Sequence, residues 1–334
     1  DLGRVEGYRN FCNKLWNASR FVFMNTEEFA DDLEGKAELG IADRWIRGRL
    51  GVAIESVRTN LAGYRFDLAA QAIYEFIWYE YCDWYLELTK PVLQDADESD
   101  ERKRGTRRNL LEVLEATLRL LHPFMPFITE EIWQRAGKLV GLDGPSIMLE
   151  RYPRTEDFPL DETADRQVRV ARSVILGIRQ IRGELDVPHS RRTPVYIRTE
   201  RGGDGEAIAG LIGVIQRVGN LESLKLVSSE VDLPPSAIAI VDGLSVLAPF
   251  ESLIDDISAE CARLEKRRNR AETDRDKCAG KLANERFVAN APPEVVSQER
   301  DRVADLERQI EQLSEQLRRL GSIQAAAEPS EEQA

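Results

Sequence analysis

The end of the chain carries the strictest constraint on what it can fold into. Val303, Leu306, Ile310, Leu313, Leu317 and Leu320 repeat in unbroken steps of three and four. That heptad period commits a segment to a long helix with one apolar seam. Upstream, Ile254, Ile257, Cys261, Leu264, Ala271, Cys278 and Leu282 keep the same register, with Arg268 and Arg275 on the seam. Asn290-Ala291-Pro292-Pro293 separates the two runs, and proline neither donates an amide nor fits inside a helix. The spacing predicts an antiparallel coiled-coil hairpin over 250–321 rather than a dimer zipper. Its first helix is weakened by the seam arginines, and a small, acidic, disordered tail follows over 322–334.

A looser helical period fills the first 152 residues. Val5, Tyr8, Cys12, Leu15 and Val22 mark a buried face of a first helix, and Ile41, Trp45, Leu50, Ile54, Val57 and Leu61 mark a second. A third is capped by Asp67, carries Ala70, Tyr74, Ile77, Tyr81, Trp84 and Leu88, and is stopped by Pro91. The polar stretch 95–101 is expected to be mobile. A fourth helix with Leu110, Leu111, Leu114, Leu118 and Leu121 breaks at His122-Pro123, and a short fifth around Glu130 to Trp133 ends near Gly137. Five helices on short loops describe a bundle over 1–152.

Over 153–249 the pattern changes. One helix sets Val174, Ile175, Ile178, Ile181 and Leu185 against Arg169, Arg172, Arg179 and Arg182 on its other side. Candidate strands follow at 194–199, 221–227, 237–241 and 244–248, with a helix near 205–218. Asp242-Gly243 between two apolar runs signals a type I′ hairpin, because glycine readily takes the positive φ such a turn demands. The fold class is therefore mainly α: a helical bundle, a small α+β domain and a terminal helical hairpin.

No apolar run approaches a bilayer span, and no leader is seen, so a cytoplasmic protein is expected. The first residue falls inside a helical pattern, which reads as a fragment of a longer protein. Cys12, Cys82, Cys261 and Cys278 are scattered, without CxxC pairs, and read as reduced thiols and not as a zinc site. With only His122 and His189 in the chain, neither a histidine metal site nor a Ser/His/Asp triad has material to draw on. A net charge of −13 opposes nucleic-acid binding by the molecule as a whole. Acid is gathered at 27–38, 95–101 and 251–260, however, and base at 102–108, 191–201 and 263–270, so local stripes would have to bind.

Three segments carry a specific resemblance. Asn10-Phe11-Cys12-Asn13-Lys14-Leu15-Trp16-Asn17-Ala18-Ser19-Arg20-Phe21 resembles the opening helix of the anticodon-binding domain of valyl-tRNA synthetases. Tyr81-Cys82-Asp83-Trp84-Tyr85-Leu86-Glu87-Leu88 with Lys90-Pro91 does so too, as does the segment from His122-Pro123-Phe124-Met125-Pro126 to Glu130-Glu131-Ile132-Trp133. The last alone indicates only a class I synthetase of the valine, isoleucine, leucine or methionine group. The second segment, and above all Leu282-Ala283-Asn284-Glu285 and Phe287-Val288-Ala289-Asn290-Ala291-Pro292 of the terminal hairpin, narrow the resemblance to the valine family. The resemblance covers essentially the whole chain and is thin between about 190 and 245. It implies a protein that joins valine to tRNA(Val) using ATP with Mg. The HIGH-type and KMSKS-type motifs that this chemistry requires are not found in the sequence, so the segment is expected to grip tRNA and to be inactive alone, with no cofactor of its own.

The expected grip is residue-specific. Asn10, Lys14, Asn17 and Phe21 fall on one helical stripe, and unstacked bases are read by aromatic stacking together with amides and cations. Phe21 is expected to stack on an anticodon base, Asn13 and Asn17 to reach base edges, and Lys14 and Arg20 to hold phosphate or base oxygens. Glu80 and Asp83 are further anticodon candidates, as acceptors from a base amino group, with a solvated bundle face or an ion pair with the first helix as the alternative. Arg263, Lys266, Arg267 and Arg270 are candidate contacts to the tRNA body, although the family usually carries leucine or isoleucine where Arg268 and Arg275 stand. The bland alternative puts Phe21 and Trp16 in the core, the asparagines in helix caps, and the 103–108 cations in balance against 95–101. The partner expected is tRNA(Val), with no DNA and no membrane, for a monomer; a non-catalytic coiled-coil scaffold for proteins is the competing reading.

Overall fold

In the computed structural model residues 2–199, 204–227, 233–253, 257–284 and 293–327 are described. The chain divides into two compact units, Asp1–Ser173 with Gly202–Val218, and Val174–Arg201 with Gly219–Ala334.

The first unit is a helical bundle of α1 (Leu2–Thr26), α2 (Ile41–Ala62), α3 (Phe66–Glu75), α4 (Leu86–Gln94), α5 (Asp100–Leu121) and α6 (Pro126–Leu139). The buried face of α1 is Phe11, Leu15, Ala18, Val22 and Phe23, one step around from the expected stripe, and Tyr8 stands 68% exposed. Ser19 and Thr26 join this face because their hydroxyls return to the carbonyls of Leu15 and Val22. Asp67 does not cap α3. It lies in the first turn and is held by both arms of Arg65, which lowers its pKa to about 2.

Between α3 and α4, Phe76–Tyr85 forms a π-helix. Ile73, Ile77, Tyr81 and Tyr85 are all fully buried at a constant spacing of four. In an α-helix such a row would drift by about 40° per step; the wider π turn drifts the other way, so passing from one to the other keeps the row against the core. Pro91 does not stop the helix either: α4 runs through it to Gln94. Proline inside a helix costs about 3 kcal/mol, but Leu88, Pro91 and Val92 are buried here, and burying one large apolar side chain returns about 1.5–3 kcal/mol.

A buried carboxylate ties these helices together. Asp43 of α2 is 1% exposed and accepts from Tyr85 Oη at 2.8 Å, Thr106 Oγ1 at 3.0 Å, Arg102 Nη1 at 2.8 Å and the Gly40 amide at 3.0 Å. A buried charge this fully hydrogen-bonded fixes relative helix positions, because losing any donor leaves it unpaired. Ser99 caps α5 through the Arg102 amide, and Pro126 opens α6 at a position where no amide is needed.

The second unit holds β1 (Thr193–Thr199), β2 (Leu221–Leu226), β3 (Ser236–Val241) and β4 (Leu244–Pro249) in the order β2-β1-β4-β3, with β1 and β2 parallel and the other pairs antiparallel. Asp242 and Gly243 both take positive φ, 52° and 81°, as a type I′ turn requires. α7 (Glu162–Glu184) gives its second half to this unit, where Val174, Ile175, Ile178 and Ile181 are buried. Its arginines do not simply line a wet face. Arg182 is 7% exposed and donates to the carbonyls of Arg191 and Asn220, joining the approaches to the two parallel strands. The helix expected near 205–218 is split into α8 (Asp204–Ala209) and α9 (Ile212–Val218), both in the first unit.

After the short α10 (Phe250–Leu253), α11 (Ile257–Leu282) packs against α12 (Pro293–Ala327). They run antiparallel, since Lys281 near the end of α11 meets Glu299 near the start of α12 at 2.7 Å, while Leu264 clusters with Leu313 and Leu320. Ala271 and Cys278 are buried, and Arg268 and Arg275 turn to Glu272 and Asp276. α12 continues to Ala327, so 322–327 are helical; the turn motif 285–292 and the end of the tail, 328–334, lie outside the described residues.

Candidate nucleic-acid interface

The exposed side of α1 organises the site. Asn13, Asn17 and Arg20 are exposed, and Phe21 is half-buried with Lys90 Nζ 6.0 Å from its ring centroid. Lys14 is held from two sides. Its ammonium lies 2.5 Å from Asp83 and 3.8 Å from the centre of the Trp78 ring. Trp78 stacks on Tyr74 at 5.4 Å, Tyr74 on Phe11 at 5.2 Å, and Tyr79 meets Tyr74 edge-on at 6.2 Å. The fold thus brings Lys14 and Asp83 together, although 69 residues separate them.

Glu80 is engaged elsewhere. Arg49 of α2 takes both its oxygens, at 2.9 and 2.8 Å, and this pairing raises the pKa of Arg49. Cys82, next to Asp83, is no nucleophile: burial pushes its thiol up to about 12. Sequence reasoning does not place Tyr74, Trp78 and Tyr79 at the site. Their spacing is the available signal, but it puts Tyr74 on the buried stripe, whereas Tyr74 is 36% and Tyr79 51% exposed.

The basic run at the start of α5 is consumed inside the bundle. Arg104 donates to Asp32 at 2.7 Å and to the Lys36 carbonyl at 2.6 Å, Arg108 reaches the Leu33 carbonyl, and Arg107 lies 3.5 Å over the Phe29 ring. These arginines staple the acidic segment 27–38, not 95–101; Asp95 is instead paired with Arg217 at 2.6 Å. Gly105 permits the close approach, since a Cβ there would sit 1.9 Å from the Glu38 carbonyl oxygen.

On the hairpin, Arg263 and Arg267 approach Asp186 at 3.1 and 3.5 Å, and both stay about half exposed. Lys266 and Arg270 are exposed. Among the described residues no group of His, Cys, Asp and Glu could hold a metal ion, and no helix is long and apolar enough to cross a membrane.

Comparison with known proteins bears on this arrangement. Residues 43–197 match the family described as anticodon-binding domain of tRNA ligase, and 256–321 match the valyl tRNA synthetase tRNA binding arm. A valine–tRNA ligase of Acinetobacter baylyi is 42% identical over 324 residues, covering 97% of this chain and 33% of that protein. One from Legionella pneumophila strain Lens is 40% identical, covering 97% of this chain and 35% of the relative. The chain spans about a third of the length of these curated relatives and matches their C-terminal region.

Proposed function

Because this chain belongs to the valyl-tRNA synthetase family, as its C-terminal tRNA-binding part, we propose that it recognises the anticodon loop and the body of tRNA(Val) for an enzyme that attaches valine to that tRNA. ATP and Mg serve that attachment and are handled by the part of such an enzyme that this chain does not include. The protein works as a cytoplasmic monomer, with neither DNA nor membrane as partner.

The observation that supports this reading most is the outer side of α1. Asn13 and Asn17 present amides to solvent beside the half-buried Phe21 ring, so a splayed base can stack while its edge is read. Lys14 is set by Asp83 and Trp78 and does not sweep freely, which lowers the entropy lost on binding a phosphate or base oxygen. Asp83 is left 43% exposed and can accept from a base amino group. Glu80 acts through Arg49, positioning the helix that carries Asp83. Arg263, Lys266, Arg267 and Arg270 add phosphate contacts to the tRNA body.

The test is binding of tRNA(Val), an anticodon-substituted tRNA(Val) and an unrelated tRNA at moderate salt. A preference for tRNA(Val) that is lost with the anticodon change and weakens with ionic strength is expected. Equal affinity for all three would refute anticodon reading. Phe21→Ala should weaken binding about tenfold, as loss of a stacking aromatic does, and leave melting nearly unchanged.

A further inference from the structure

A second feature of α1 extends that reading and shares Arg20 with it. A cleft of about 480 Å³ opens between α1 and α6, with Phe23 among its lining residues and Trp16, 44% exposed, on its wall. Arg135 lies over the Phe23 ring at 4.4 Å and is also clamped to Glu27, so this cation and carboxylate satisfy each other. Arg20 and Lys138, which also line the cleft, have no acidic partner among the described residues. The only other charged lining residue is Glu131. In a chain of net charge −13, a hollow with two unpaired cations, one unpaired carboxylate and an open indole is selective for a planar group that carries negative charge.

Its place on α1 identifies the ligand. At about 100° per residue, Asn13 and Asn17 lie on the ridge of the helix, with Lys14 and Phe21 on one flank and Trp16 and Arg20 on the other. Each flank offers an aromatic ring with a cation beside it, and the amides stand between them. We propose that the α1–α6 cleft receives a second unpaired nucleotide of the same RNA, its base stacked on Trp16 and its phosphate held between Arg20 and Lys138. The inference rests on the tRNA-binding reading above and adds a separate subsite to it.

The experiment measures binding of tRNA(Val) to the full chain for Trp16→Ala, Trp16→Phe, Lys138→Gln and Phe21→Ala, with melting recorded for each. Trp16→Ala should lose about tenfold in affinity and Trp16→Phe should recover most of it, because stacking needs a ring and not an indole. Lys138→Gln should lose about threefold and flatten the salt dependence. Tryptophan at 16 should also cross-link to tRNA carrying 5-iodouridine in its loop. Wild-type affinity in Trp16→Ala and Lys138→Gln, alongside weakened Phe21→Ala, would overturn the second subsite and leave the anticodon reading intact. Wild-type affinity in all of these variants would remove both. If Trp16→Ala lowers melting, Lys138→Gln and the cross-link decide, and failure of both overturns the subsite.

Discussion

Two arginine runs of similar appearance do opposite things in this molecule. At 102–108 the guanidiniums face inwards to the 27–38 segment and the buried Asp43, and Arg102 and Arg104 keep only 17% and 14% of their side-chain surface. At 263–270 the cations stand on a helix surface, and the acid that reaches them, Asp186, is itself 61% exposed. A basic run therefore announces an anion without saying whether that anion belongs to the protein. What decides is the chain opposite: acid and carbonyls of a packed segment in the first case, an exposed acid in the second.

The comparison can be broken at either end. Replacing Arg263, Lys266, Arg267 and Arg270 together by Gln should weaken tRNA binding on the order of a hundredfold at moderate salt and shallow its salt dependence. Melting should stay unchanged, and unaltered affinity would show that the outward run is as internal as the other. Gly105→Ala, which drives a methyl into the Glu38 carbonyl, should cost about 2–3 kcal/mol in denaturant unfolding; a neutral result would mean that the staple yields easily. Arg104→Ala should destabilise by less than Gly105→Ala in the same assay, mostly through orphaned carbonyls at Asp32 and Lys36. It should not change affinity for tRNA per folded molecule.

The smallest effect concerns pH. The hydrogen bond from Arg104 holds the Asp32 carboxyl below its usual 3.8. Since the folded value is the lower one, the staple contributes fully above that usual value and loosens as pH falls through the folded value. Limited proteolysis within 27–38 should rise only below about pH 4; loosening between pH 7 and 5 would assign it to another group.

Much of this architecture is legible in the amino-acid pattern, for identifiable reasons. The four strands and the 242–243 turn follow from short apolar runs, β-branched in β1 and β3, and one residue pair with a single good conformation. The helical hairpin follows from a period sustained over many turns. Where local rules compete, reading fails: α1 offers apolar residues on adjoining stripes, and only the neighbouring helices select Phe11 over Tyr8. Pro91 reads as a stop because the burial of its neighbours is a tertiary gain. On the site, Asn13, Asn17 and Arg20 are readable as exposed, and an ion pair from Asp83 to the first helix is among the readings the sequence offers, but that Lys14 is its partner and Trp78 its platform depends on how distant segments pack.

The ten residues of the π-helix have one more consequence. They act as a phase shifter between two ordinary helical registers, with Tyr74 upstream and Leu88 downstream each aimed correctly only because the extra width lies between them. Deleting Tyr79 would preserve a continuous hydrogen-bond ladder and yet swing every later side chain by about 100°. Asp83 would then leave Lys14, and the same rotation would carry Tyr81 and Tyr85 out of the core and away from Asp43. One missing residue would dismantle the outer surface and its inner support together.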